Sequence, residues 1–112
     1  MIFVTGPLFS GKRNYVCQTL GLSREELAQR AVWDVQDLAA DTSDLEELAE
    51  KLSACEIVIA SEIGGGVVPI DPEERAAREA AGRLACLLAV QAETVVRVVC
   101  GLPQVLKGEL PC

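Results

Sequence analysis

The sequence contains no histidine, and only four of its 112 residues are aromatic. Without an imidazole, every mechanism that needs a histidine base, nucleophile or ligand is excluded. With so few rings, the core has to be aliphatic, built from Ala, Val, Leu and Ile. No C-x-x-C pair occurs among the five cysteines, Cys17, Cys55, Cys86, Cys100 and Cys112, so neither a zinc site nor a thioredoxin-type motif is indicated. Their odd number and wide spacing, mostly in apolar runs, read as reduced, buried thiols of a cytoplasmic protein, with Cys112 expected at the surface. No apolar stretch approaches the roughly 20 residues of a membrane span. Met1 leads straight into an apolar run without the basic segment of a signal peptide. A soluble protein with no membrane partner is expected.

Basic side chains are scarce as well. Ten Lys and Arg stand against 17 Asp and Glu, a formal charge of −7, which argues against broad nucleic-acid binding. From Arg24 to Glu62, eleven acids face three bases, a pattern of solvated helix faces. What the chain does have is apolar content, 50% of residues, and this excludes intrinsic disorder. Its length suits one domain over residues 1–112 with one core.

Along the chain, Ile2 to Thr5 reads as a buried strand ending in the Gly6-Pro7 turn. A helix is expected from about Gly11 to Leu20, closed by Gly21. Ser23 with Glu26 is a capping box that starts a second short helix. Ala31 to Val35 is a weaker strand, followed by an acidic loop. Ser43 with Glu46 makes another capping box, opening a helix that carries Leu45, Leu48, Ala49 and Leu52. Glu56 to Ala60 holds a continuous apolar strand of the kind buried on both faces. Asp71, Pro72 and Glu74 start a helix running to about Ala92. Thr94 to Cys100 is the last strand, ended by Gly101-Leu102-Pro103, with a short tail to Cys112. The alternation predicts an α/β fold with a mostly parallel sheet. Arg97 shares a strand face with Val95 and Val99, so that face is thinly covered or the strand lies at an edge.

One segment carries chemistry. Gly6-Pro7-Leu8-Phe9-Ser10-Gly11-Lys12 fits G-x-x-x-x-G-K between a strand and a helix. There the glycines let the backbone wrap phosphate oxygens, and free N–H groups with the positive helix end hold the anion. Lys12 reaches the terminal phosphates. Two residues depart from the pattern. Arg13 stands where Ser or Thr would coordinate magnesium, and could contact phosphate directly. Pro7 removes one amide donor. Asp34 is the best-placed second carboxylate for a metal, with Asp37 next. Both also suit helix-cap or surface roles.

A second block adds to this. Ser61-Glu62-Ile63-Gly64-Gly65-Gly66-Val67-Val68-Pro69 resembles the N-E-V-G-x-G-x-V-P signature of the adenosylcobinamide kinase / adenosylcobinamide-phosphate guanylyltransferase (CobU) family. Ala81-Gly82-Arg83 resembles its A-G-R. Ala92-Glu93-Thr94-Val95 and Gly101-Leu102-Pro103-Gln104-Val105-Leu106-Lys107-Gly108 resemble its A-D-E-V strand and G-L-P-x-x-L-K-G tail. Val4-Thr5-Gly6 and Ser10-Gly11-Lys12 match its V-T-G-G-x-x-S-G-K-S, and Asp34 falls on its D-C-L-T segment.

The resemblance implies a three-layer, P-loop-type α/β fold of reduced strand number, with magnesium and ATP or GTP as cofactors. It implies kinase chemistry on the hydroxyl of adenosylcobinamide, so a corrinoid partner, and a homo-oligomer, a trimer in the family. Lys12 takes the catalytic role. Gly6, Pro7, Leu8, Phe9, Ser10, Gly11, Lys12 and Arg13 contact the nucleotide, Glu62 sits at its site, and Asp34 serves the metal. The family's second step, GMP transfer through a guanylylated histidine, has no nucleophile in this sequence. The chain also lacks a family segment between Leu20 and Ala31, and Leu84-Ala85-Cys86-Leu87 is apolar where the family is polar. The alternative reading is therefore a non-catalytic family remnant acting as a binding, regulatory or oligomeric module.

Overall fold

The computed structural model describes residues 1–7, 9–62 and 71–109. Its elements are β1 (Ile2–Gly6), α1 (Lys12–Leu20), α2 (Arg24–Arg30), β2 (Ala31–Val32), α3 (Gln36–Ala39), α4 (Leu45–Ser53), β3 (Ile57–Ser61), α5 (Pro72–Gln91), β4 (Thr94–Val99) and β5 (Leu102–Lys107). The five strands form one sheet in the order β2-β3-β1-β4-β5. The first four run parallel, and β5 pairs antiparallel with β4.

The period-two alternation of the strands divides the core into two layers. Phe3, Val58, Ala60 and Val95 face one side and pack with Val35, Ala39, Ala49, Leu52, Leu84 and Leu88 of the α3, α4 and α5 layer. Val4, Ile57, Ile59, Val96 and Val98 face the other side, under Val16, Leu22 and Leu27 of the α1–α2 layer. The fold is a three-layer α/β sandwich of the P-loop type, as expected. Every residue of β3 is buried, which fits its unbroken apolar run between two helical layers.

Local chemistry sets the helix ends. Ser23 accepts from Glu26 N at 3.1 Å while Glu26 Oε1 accepts from Ser23 N at 3.2 Å, the expected capping box. Asp71 accepts from Glu73 N at 2.9 Å, with Pro72 leading α5. The start of α4 differs by one residue. Asp44, not Ser43, is the cap, accepting from Glu47 N at 3.0 Å; a carboxylate is also the better partner for the positive helix end.

Three other expectations change. The strand expected from Ala31 to Val35 is shorter, because β2 stops at Val32 and Asp34, at φ 57, turns the chain into α3. Thr94 to Cys100 is not the last strand. Cys100 and Gly101, at φ 53 and 75, make a tight two-residue turn with two positive φ angles, and the chain returns as β5. β4 is therefore interior, and Arg97 sits where the α5-side cover thins rather than at an edge. The buried-thiol reading also fails in part. Cys86 and Cys100 are exposed, and Cys17 and Cys55 are half-buried. Cys86 falls on the outer face of α5, and Cys100 is carried out of the sheet by the hairpin turn. Cys112 lies outside the described residues.

No helix among the described residues is long and apolar enough to cross a membrane.

Candidate phosphate-binding site

β1 is the central strand, and its C-terminal end delivers the glycine–lysine loop to the start of α1. Crevices at the C-terminal ends of parallel strands, where connections part to opposite faces, are where such sheets bind ligands. The loop is braced from β4 and the turn behind it. Gly101 N donates to Ser10 O at 2.8 Å. The Val98 carbonyl lies against Gly6, so that a Cβ there would stand 2.2 Å from its oxygen. Gly6, at φ +153, thus has a packing reason to be glycine besides any contact with phosphate.

Lys12 is buried at the first turn of α1. Its Nζ donates to Pro7 O at 2.8 Å and to Gly6 O at 3.3 Å. Burial holds this ammonium below the usual lysine range, while Asp34 and Glu62 pull it back up. Around it opens a cavity of about 210 Å³, lined among others by Ser10, Lys12, Arg13, Arg24, Asp34 and Ser61. Arg13 stacks its guanidinium over Trp33, 5.0 Å from the ring centroid, and lies 4.0 Å from the Asp34 carboxylate. Arg24 donates to Asn14 Oδ1 at 2.6 Å. The Ser10 hydroxyl is buried and has no hydrogen-bond partner among the described residues. Phe9 is 95% exposed, so its ring does not plug the loop. Leu8, like the glycine run at residues 63–70, lies outside the described residues.

Glu62 belongs to the opposite face of the sheet. Its N–H donates to Gly6 O at 2.8 Å, and its carboxylate takes a two-pronged bond from Arg97 at 2.5 and 2.9 Å. That bond holds the carboxyl below its usual range. Glu62 lines a second, mainly apolar cavity of about 120 Å³, together with Thr5, Gln36, Ala81, Gly82 and Leu84. Ser61 lines both cavities, so the end of β3 is the wall between them. Asp37 is not among the residues lining the loop cavity.

The structure thus gathers Ser10, Lys12, Arg13 and Asp34 in one cavity and sets Glu62 next to it. Sequence reasoning missed Arg24, which it took only as the start of a capped helix, and Trp33. It noticed Arg97 as an anomaly on a valine strand but did not connect it to Glu62; a charge amid apolar residues was the available signal.

A central parallel strand running through a glycine–lysine loop into a helix defines the P-loop class of nucleotide-binding folds. Within that class, the family model described as cobinamide kinase / cobinamide phosphate guanyltransferase matches residues 16–106. The chain belongs to that family, and membership supports a role in cobalamin biosynthesis with nucleotide binding. The matched segment begins inside α1, after the loop. The comparison with curated proteins gave no match.

The magnesium ion that P-loop chemistry implies does not fit these residues. A hydroxyl after the loop lysine normally ligates it, whereas Arg13 offers no lone pair and places a positive charge there. The cavity's carboxylate, Asp34, already faces that charge at 4.0 Å.

Proposed function

We propose that the chain, folded as one P-loop unit over residues 1–112, holds the polyphosphate of ATP or GTP in the Gly6–Arg13 loop. The observation that carries this reading is Lys12, a buried residue lining a cavity that also collects Arg13 and Arg24. In a protein of net charge −7, three cations against one acid make a local anion site. The cavity is smaller than the roughly 300–1,000 Å³ that encloses a drug-sized ligand, so it suits the phosphates, with the nucleoside outside. On binding, Lys12 exchanges two neutral carbonyl partners for phosphate oxygens, a stronger, charge-assisted contact.

The reaction proposed is phosphoryl transfer to the hydroxyl of adenosylcobinamide. The acceptor oxygen bonds the γ-phosphorus as the β–γ bridge breaks, nucleoside diphosphate leaves, and the hydroxyl proton passes to solvent. Such transfer depends mainly on positioning and charge stabilisation, which Lys12 supplies without histidine. The guanylyl step is absent from this reading, because no histidine exists to carry it. A homo-oligomer is part of the proposal, its interface covering the exposed Leu102, Val105 and Leu106 of β5.

A second reading, a non-catalytic binding module, is favoured by one observation: Arg13 in place of the hydroxyl residue. Calorimetric titration with ATP and GTP, paired with a turnover assay on adenosylcobinamide, separates the two. Binding with turnover supports the kinase. Binding without turnover supports the module, and absence of binding removes both the nucleotide site and the kinase.

A further inference from the structure

The misfit between magnesium and the residues around Lys12 has a positive counterpart. We infer that the Arg13 guanidinium, seated between Trp33 and Asp34, replaces the divalent ion, so that the loop takes a nucleoside polyphosphate as its metal-free anion. This rests on the reading that the loop binds nucleotide and specifies the form of nucleotide bound.

Three observations converge on it. Arg13 occupies the position that follows the loop lysine, the second residue of α1, and lines the same cavity as Lys12. Its guanidinium lies over Trp33, 5.0 Å from the ring centroid, and its ion-pair partner Asp34 stands at 4.0 Å, beyond hydrogen-bond length. A guanidinium over a ring keeps its edge N–H groups for a ligand, and its fork matches phosphate oxygens two at a time. Arg24 lines the cavity too, tethered through Asn14. A magnesium ion would bring two positive charges; Arg13 and Arg24 bring two. Asp34 in this arrangement is a positioning residue for Arg13, not a metal ligand.

The test is calorimetric titration of the whole chain with ATP and with GTP, once in EDTA and once in excess magnesium chloride. The expected result is binding in EDTA at least as tight as in magnesium. The variant Arg13→Ser, which restores the hydroxyl, should lose about tenfold or more in affinity in EDTA, the worth of one charge-assisted contact, and should gain affinity when magnesium is added. A parent protein that binds nucleotide only with magnesium overturns the inference and leaves the nucleotide-site reading standing. Arg13→Ser binding as tightly as the parent in EDTA does the same. No binding by the parent in either buffer overturns both. The parent's own metal dependence decides the matter even where the variant folds poorly.

Discussion

Replacing Gly6 by alanine should destabilise this protein whether or not phosphate is present. The new Cβ would stand 2.2 Å from the Val98 carbonyl oxygen and 2.9 Å from Ser10 Oγ. An ordinary contact at this position begins near 3.4 Å, so the ends of β1 and β4 have to part by about an ångström. The obstacle is main chain of β4 just past the end of its parallel ladder with β1, which cannot swing aside like a side chain. The backbone is also held at φ +153, a conformation that costs an L-residue on the order of 1–3 kcal/mol. With one or two weakened ladder bonds at about 1 kcal/mol each, the total is about 2–5 kcal/mol. For a domain of this size each kcal/mol lowers Tm by about 4 °C, so a fall of roughly 8–20 °C is expected. Thermal unfolding followed by circular dichroism, without nucleotide, is the assay. Gly82→Ala is the internal control. That glycine lies within α5 with nothing inside 4 Å of its Cβ position, and alanine there should stabilise by about 0.5–1 kcal/mol. A Gly6→Ala protein melting within about 2 °C of the parent would refute the reasoning and return Gly6 to a purely ligand-driven role.

Lys12→Ala should abolish nucleotide binding in calorimetric titration; undiminished binding would mean the loop is not the site. Leu88→Ala should lose about 2–5 kcal/mol, read from urea unfolding, because Leu88 is fully buried between α5 and the sheet. Glu62→Gln should lower Tm at pH 7 and lose its effect in acid. Arg97 holds the Glu62 carboxyl below its ordinary 4.5, so its contribution is complete above that value and disappears as pH falls through the folded one; a Tm difference that persists at the acid end would contradict the ion pair. Sedimentation should find an oligomer that a lysine at Leu106 weakens; a parent that sediments as a monomer at all concentrations would remove the proposed interface.

The sheet's central strands were legible because each is a run of β-branched and aliphatic residues bounded by a turn signal or a cap. The β4–β5 hairpin was not. Its turn pairs Cys100 with Gly101, and cysteine is a weak signal for a positive-φ turn position beside the usual Asn or Asp. Pro103 argued further against a strand, although an edge strand tolerates it. The cap at Asp44 was hidden by an equally good Ser–Glu pair one residue earlier, and the two patterns are indistinguishable without backbone geometry. The strong G-x-x-x-x-G-K spacing located the loop because that chemistry is local. Arg24, eleven residues beyond Arg13, reached the same cavity only through the packing of α2 under the sheet.

By itself the amino-acid order determined that this is an aliphatic α/β chain without imidazole chemistry, with a phosphate-type loop after its first strand and a departure at Arg13. Periodicity and spacing act over a few residues, so they survive as patterns in one dimension. Only the tertiary structure decided that Gly6 is pinned by the Val98 carbonyl, that Glu62 answers Arg97 across the sheet, and that Arg13 stands between Trp33 and Asp34 in one cavity with Lys12. Those contacts join segments far apart in the chain, and they come about only when strands pair and helices settle on them.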